Sequence, residues 1–191
     1  MTEILLIDGS YYIFYRYHAL IQWWKHSNKD DALPENPCEN VIFMNKFKSI
    51  FVTKIEEIKK KLDLKSPLIM VAQDCPRENI WRNKLFPDYK KGRISNTHIG
   101  AAFKCVYNEN LFKTAGANML IKHPELEADD CIALTVKNIQ RISPDNKIYI
   151  ITSDMDYLQL ATETIVPINL KYKSLQDSKQ SFKNCKKDLF C

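Results

Sequence analysis

The chain has 191 residues, 45% of them hydrophobic, which is enough for one domain with a substantial core and too apolar for a disordered polymer. Its 28 Lys+Arg against 23 Asp+Glu leave a formal charge of +5, a mild bias that suits a polyanionic partner. The four glycines, Gly9, Gly92, Gly100 and Gly116, do not have the spacing of a GxGxxG dinucleotide loop or a GxxxxGK(S/T) phosphate loop, which excludes nucleotide-binding enzymes of those two designs.

In chain order, the first element is the aliphatic run Ile4-Leu5-Leu6-Ile7, which reads as a buried parallel strand ending at Asp8. Residues Gln22 to Glu39, with Trp23-Trp24, two prolines and many charges, read as a surface excursion. From Asn40 to Leu62, apolar residues recur every three or four positions (Val41, Met44, Phe47, Phe51, Ile55, Ile58, Leu62), so the spacing predicts an amphipathic helix. A second strand, Leu68 to Ala72, leads to Asp74. Residues Lys91 to Gly116 read as a weakly helical bridge with little apolar stripe. A helix opened by Pro124 carries Cys131, Ile132, Leu134, Val136 and Ile139 inward and closes at Ser143-Pro144-Asp145-Asn146. A third strand, Ile148 to Ile151, leads to Asp154, and the tail from Lys171 onward is polar and lysine-rich. Strands alternating with helices over long crossovers predict an α/β fold with a central, mostly parallel twisted sheet flanked by helices.

The six cysteines (Cys38, Cys75, Cys105, Cys131, Cys185, Cys191) form no CxxC pair and no signal peptide precedes the first apolar run, so a reduced, intracellular, cytoplasmic setting is expected. The four histidines lack zinc-site spacing, and no apolar stretch approaches the ~20 residues needed to span a bilayer.

Each strand ends in an aspartate, and the carboxyl edge of a parallel sheet is where such folds bind ligands. One such aspartate could simply cap the next helix. Two further clusters, Glu127-Ala128-Asp129-Asp130 and Asp154-Met155-Asp156, bring the carboxylates to seven with Asp8 and Asp74. If they converge, each pair ~4 Å apart repels by about 4 kcal/mol at an effective dielectric near 20. Such a cluster takes up protons or cations, and hard oxygen ligands select Mg²⁺ or Mn²⁺. Two such ions are the standard device for phosphodiester hydrolysis. Between Asp74 and Arg93, cations and aromatics interleave (Arg77, Trp81, Arg82, Lys84, Phe86, Tyr89, Lys90, Lys91, Arg93), a pattern able to clamp a phosphate and stack a base beside an acidic site.

Four blocks in order carry a family resemblance: Leu6-Ile7-Asp8-Gly9-Ser10; Asp74 with Trp81-Arg82 and Pro87-Asp88-Tyr89-Lys90-Lys91-Gly92-Arg93; Glu127-Ala128-Asp129-Asp130; and Thr152-Ser153-Asp154-Met155-Asp156. The sequence resembles the 5′-3′ exonucleases and flap endonucleases, including the 5′-nuclease domain of bacterial DNA polymerase I, within the PIN-like superfamily. The resemblance implies a PIN-like, resolvase-like core over about 1–170 with a helical arch over about 91–116. It also implies a monomer that acts on DNA with 5′ ends or flaps and on RNA–DNA hybrids in replication or repair. By the same resemblance Asp8, Asp74, Glu127, Asp129, Asp130, Asp154 and Asp156 would be direct or water-mediated ligands of two Mg²⁺ or Mn²⁺ ions. Lys90 and Arg93 would contact the scissile phosphate or stabilise the transition state, Tyr89 would stack on a base near the cut, Arg82 would help hold the phosphate, and Lys91 would bind the nucleic acid. Family members continue into a helix-three-turn-helix with a Gly-Asp-x-Ser-Asp-Asn motif, which nothing in 157–191 matches. The expectation is therefore a truncated gene or a fragment of a longer protein, its first metal site nearly complete, its second depleted and its cleavage impaired.

Two rivals remain at this stage. A PIN-type ribonuclease also gathers acids at strand ends, although a compact one needs neither the 82–93 gateway nor an arch. A non-catalytic DNA-end binder would keep the fold with a vestigial site.

Overall fold

A computed structural model of the protein describes residues 2–27, 32–92 and 98–177. Its centre is a five-stranded sheet of order β3-β2-β1-β4-β5, with every pairing parallel. The strands are β1 Glu3–Asp8, β2 Leu68–Ala72, β3 Met119–Ile121, β4 Lys147–Ile151 and β5 Ile165–Ile168. The helices are α1 Gly9–Ser27, α2 Val41–Lys61, α3 Arg82–Leu85, α4 Ile99–Asn108, α5 Leu111–Thr114 and α6 Ala128–Ile142.

Side chains alternate across the pleat and fill two cores. Leu5, Ile7, Ile69, Val71 and Ile151 pack under α1, α2, α4 and α5, where Tyr12, Tyr17, Phe43, Phe47, Phe51 and Phe112 form an aromatic layer. Ile4, Leu6, Met70, Ile148, Ile150 and Ile165 face the other way onto Ala128, Cys131, Ile132 and Val136 of α6. The chain order reverses direction across the β1–β4 boundary, and a crevice opens at such a point outside the carboxyl ends of the strands.

Three of the five strands follow the aliphatic runs. The short edge strands β3 and β5 have no counterpart among them, because three or four residues, in β5 interrupted by Pro167, carry no periodic signal. Part of the stretch read as a surface excursion at 22–39 is the end of α1, whose stripe Ile13, Tyr17, Leu20 and Trp24 is buried at helical spacing. The helix expected to open at Pro124 begins instead at Ala128, where Glu127 and Asp130 form a reciprocal capping box.

The arch was expected over 91–116. Residues 98–116 lie on the body, with Ile99, Ala102 and Val106 of α4 and Leu111 and Phe112 of α5 buried in the main core. Their apolar residues recur at three- and four-residue steps, so burial won over the polar composition between them. Residues 93–97, including Arg93, lie outside the described residues. The core also runs past 170: Leu175 is buried, and the Tyr172 hydroxyl donates to Glu57 of α2.

β1 passes into α1 with no intervening loop, and this forces the residue at the junction to be glycine. A Cβ on Gly9 would lie 2.5 Å from the Ala72 carbonyl oxygen and 3.0 Å from Tyr107 Oη. Gly9→Ala is therefore expected to destabilise the protein by ~2 kcal/mol through overpacking against backbone, read as a lower urea midpoint at unchanged slope.

Candidate active site

The carboxyl edge of the sheet supplies Asp8 at the end of β1, Asp74 after β2 and Asp154 after β4, and the start of α6 supplies Glu127 and Asp129. These five carboxylates line one cleft of about 560 Å³ together with Ser10, Tyr11, Phe14, Arg77, Lys90, Ile99 and Gly100. Asp130 and Asp156 open instead onto a neighbouring cleft of about 290 Å³ beside Arg82 and Lys137, and Asp129 borders both. The seven acids predicted from sequence are thus all at one edge, divided between two adjoining hollows.

Several of these carboxylates also serve the backbone. Asp8 Oδ1 accepts from the Tyr11 N–H at 3.0 Å and so caps α1. Asp74 Oδ1 accepts from the Ala128 N–H at 2.7 Å, tying β2 to the first turn of α6, while its Oδ2 accepts from the Ser10 hydroxyl. Asp154 Oδ1 accepts from the Asp156 N–H at 3.0 Å. The helix-capping role and the clustering are therefore properties of the same residues.

Asp130 is bound by other partners. Arg82 grips it with two parallel bonds of 2.6 and 2.7 Å, and Trp81 Nε1 and the Glu127 N–H donate at 3.1 and 3.3 Å. Burial pushes the Asp130 carboxyl up, but the bonds from Arg82 and Trp81 outweigh it and hold the group below the usual carboxylate range. Arg82 rests against the Trp81 and Tyr89 rings, 4.8 and 5.8 Å from their centroids, and also reaches Glu127 Oε2 at 3.1 Å. Its guanidinium is occupied by carboxylates within the protein, whereas sequence reasoning set it aside for a phosphate. Glu127 also accepts from the Tyr89 hydroxyl at 2.9 Å and from Lys90 Nζ at 2.5 Å. Lys91 points away, paired with exposed Asp88 at 2.6 Å.

Asp8 is the most perturbed of the acids facing the main cleft. Burial first, then the charges of Asp74, Asp129 and Asp154, raise its pKa from 3.8 to about 6 against the lowering effect of the Tyr11 N–H. Asp129 is also raised, chiefly by burial and then by Asp130 and Glu127. The hydroxyls of Tyr107 and Tyr157 are buried with no hydrogen-bond partner among the described residues. Both rings feel the charges of Asp8 and Asp74.

This donor set fits a divalent cation of the Mg²⁺ or Mn²⁺ kind. It is all oxygen, it is more negative than its neighbours neutralise at the Asp8 end, and it includes Glu127, Asp129 and Asp130 with ligand oxygens within 4.8 Å of one another. Phe14 and Tyr107 were not singled out in sequence, and Ser10 entered only as the last residue of the first motif block. Phe14 had a readable signal, because it falls off the buried stripe of α1 and stands 42% exposed at the cleft, edge-on to Phe103.

Residues 3–186 match the family described as the 5′-3′ exonuclease, N-terminal resolvase-like domain. The chain is 31% identical over 164 residues to a 5′-3′ exonuclease of Buchnera aphidicola subsp. Acyrthosiphon pisum (strain APS), covering 86% of this chain and 50% of that protein. Its fold is shared by the T5 D15 protein co-crystallised with metal ions, at 15% identity and a TM-score of 0.55 over 90% of this chain and 56% of that one. The bacteriophage T5 D15 flap endonuclease in a pseudo-enzyme–product complex with DNA and metal ions matches with 15% identity and a TM-score of 0.55, over 90% and 57%. The chain spans about half the length of the relatives it matches. With the acidic edge, the order of the four motif blocks and the parallel sheet agreeing, the chain belongs to the 5′-3′ exonuclease family through its N-terminal resolvase-like domain.

Proposed function

We propose that this chain carries a divalent-metal-dependent 5′-nuclease centre that hydrolyses phosphodiesters at the 5′ ends or flaps of DNA. The observation that carries the reading is the single cleft in which five carboxylates, from the ends of β1, β2 and β4 and the start of α6, face Lys90, Arg77 and the aromatic Phe14. Asp8, Asp74, Glu127, Asp129 and Asp154 would hold the ions, with Asp156 beside them in the adjoining cleft. Two such ions, Mg²⁺ or Mn²⁺, supply a water nucleophile near neutral pH and neutralise charge on the attacking and leaving oxygens. Lys90 and Arg77 offer cations to a phosphate entering the cleft, and Phe14 and Tyr89 offer rings to a base. Asp130 and Arg82 brace α6 in this scheme, and Arg93 is assigned to the phosphate on family resemblance.

Action on RNA–DNA hybrids, a monomeric state and an intracellular, cytoplasmic location belong to the same proposal. Support for the last comes from Cys38, Cys75, Cys105 and Cys131, which are unpaired. No helix among the described residues is long and apolar enough to cross a membrane.

The test is cleavage of a 5′-flap DNA and a matched single-stranded RNA in Mg²⁺ or Mn²⁺ by the wild type, Asp154→Asn and Lys90→Ala. Flap cutting by the wild type that falls about a hundredfold or more in both variants supports the nuclease. Binding without ion-dependent cutting leaves a DNA-end binder, and RNA cut in preference to DNA favours a ribonuclease.

A further inference from the structure

Glu127 is only 6% exposed, yet three side chains donate to it: Lys90 at 2.5 Å, Tyr89 at 2.9 Å and Arg82 at 3.1 Å. All three donors come from the gateway segment between β2 and α4, while the carboxylate belongs to the N-cap of α6. The same carboxylate is one of the three whose oxygens could share a cation. One oxygen pair cannot serve an ammonium, a phenol, a guanidinium and a divalent ion at full strength together.

We propose that Glu127 is contested, with Lys90 as its built-in counter-ion, so that a divalent cation gains this ligand only when Lys90 lets go. This rests on the nuclease reading and adds a role for Lys90 before any substrate arrives. Arg82 stays behind, because its two bonds to Asp130 hold it independently of Glu127. Lys90 has weaker moorings. It adopts φ 55°, uncommon for a residue with a Cβ, and the bond to its carbonyl comes from the side chain of Arg77, itself an exposed residue. Leu85 and Phe86, just before it, are 62% and 64% exposed, so little apolar packing fastens the segment to the body. Occupation of the cleft and the position of residues 86–92 are then linked reciprocally: whatever favours one disfavours the latched form of the other. Release also leaves the Lys90 ammonium free at the cleft wall, available to a phosphate once the ion is in place.

The experiment is calorimetric titration of the whole chain with Mn²⁺, joined to hydrogen exchange across residues 86–92. Lys90→Met is expected to bind Mn²⁺ about tenfold tighter than the wild type, since a charge-assisted hydrogen bond no longer has to be broken first. Lys91→Met removes the same charge one residue away, from a side chain 69% exposed and paired with Asp88, and is expected to stay within about twofold of the wild type. In the wild type, Mn²⁺ should speed exchange over 86–92; in Lys90→Met that exchange should be fast without the ion. Equal affinity of wild type and Lys90→Met, equal tightening by Lys91→Met, or exchange that Mn²⁺ leaves unmoved would overturn the contest while sparing the nuclease reading. A wild type that neither binds Mn²⁺ nor cuts DNA would overturn both.

Discussion

Replacing Asp8 with Asn is expected to act in two opposite directions, cutting metal-dependent cleavage of a 5′-flap DNA by about a thousandfold or more and making the ion-free protein harder to unfold. The loss follows from removing one charge from the set of carboxylates proposed to hold the ions. The gain follows from the raised pKa. Burial and the charges of Asp74, Asp129 and Asp154 lift Asp8 from 3.8 to about 6, so the folded protein binds this proton more tightly than the unfolded chain does. Stability contributed by the protonated form is complete below pH 3.8 and is lost as the pH rises through about 6, which amounts to ~3 kcal/mol. Asn keeps the side-chain oxygen that accepts from the Tyr11 N–H and carries no charge to bury. In EDTA the two proteins should therefore unfold at similar denaturant concentrations near pH 4 and diverge toward pH 7, with Asp8→Asn the more stable. Millimolar Mg²⁺ should then raise the wild type and leave the variant nearly unmoved. A wild type as stable as the variant at pH 7 without ions would show that the cluster is not electrostatically loaded.

Arg82→Ala is expected to cost about 3 kcal/mol, the largest loss for a single side chain in this part of the protein. The guanidinium holds both oxygens of Asp130 and one of Glu127, with side-chain exposures of 24%, 17% and 8%, so deleting it strands carboxylates that water reaches poorly. In a domain of this size that is roughly a 6–12 °C fall in melting temperature. A lysine at this position would restore one bond and not the parallel pair, so Arg82→Lys should recover less than half of the loss. The paired variant Arg82→Met with Asp130→Leu should fall short of the sum of its two single effects, because no charge is left without its partner. Thermal unfolding of the wild type, the two single variants and the pair at one pH closes the cycle. A strictly additive result would mean that Arg82 and Asp130 do not depend on each other.

How much of this was legible in sequence depended on whether a residue had a local reason to be where it is. The runs at 4–7, 68–72 and 148–151 are aliphatic because parallel strands are buried on both faces, and they became β1, β2 and β4. The acids after them were readable for the same reason: a carboxylate directly behind a buried strand has only the sheet edge to occupy. β3 and β5 were not readable, since an edge strand of three or four residues is chosen by its neighbour's free hydrogen bonds and not by its own pattern. α1 was not read as an element, although Asp8 offered a cap for a following helix, because its end at 22–27 shares the charges and tryptophans of the stretch that reads as a surface excursion. At the site, the identities of the acids were visible and their division of labour was not. Whether Asp130 faces an ion or Arg82 depends on a contact spanning 48 positions along the chain, and no local spacing encodes it.

The capping bonds on the acids have an evolutionary corollary. Asp74 fastens β2 to α6, and Asp130 completes a capping box and grips Arg82, so a lineage released from nuclease work would still need both. Asp8 is the reverse case: its cap needs only an oxygen, and its negative charge is a burden without a cation. In descendants that have fallen silent, the first position to drift should be residue 8, toward Asn or Ser, while the Arg82–Asp130 pair persists. A relative that keeps the pair and has lost the aspartate would be a fossil of the enzyme, recognisable from sequence before any assay.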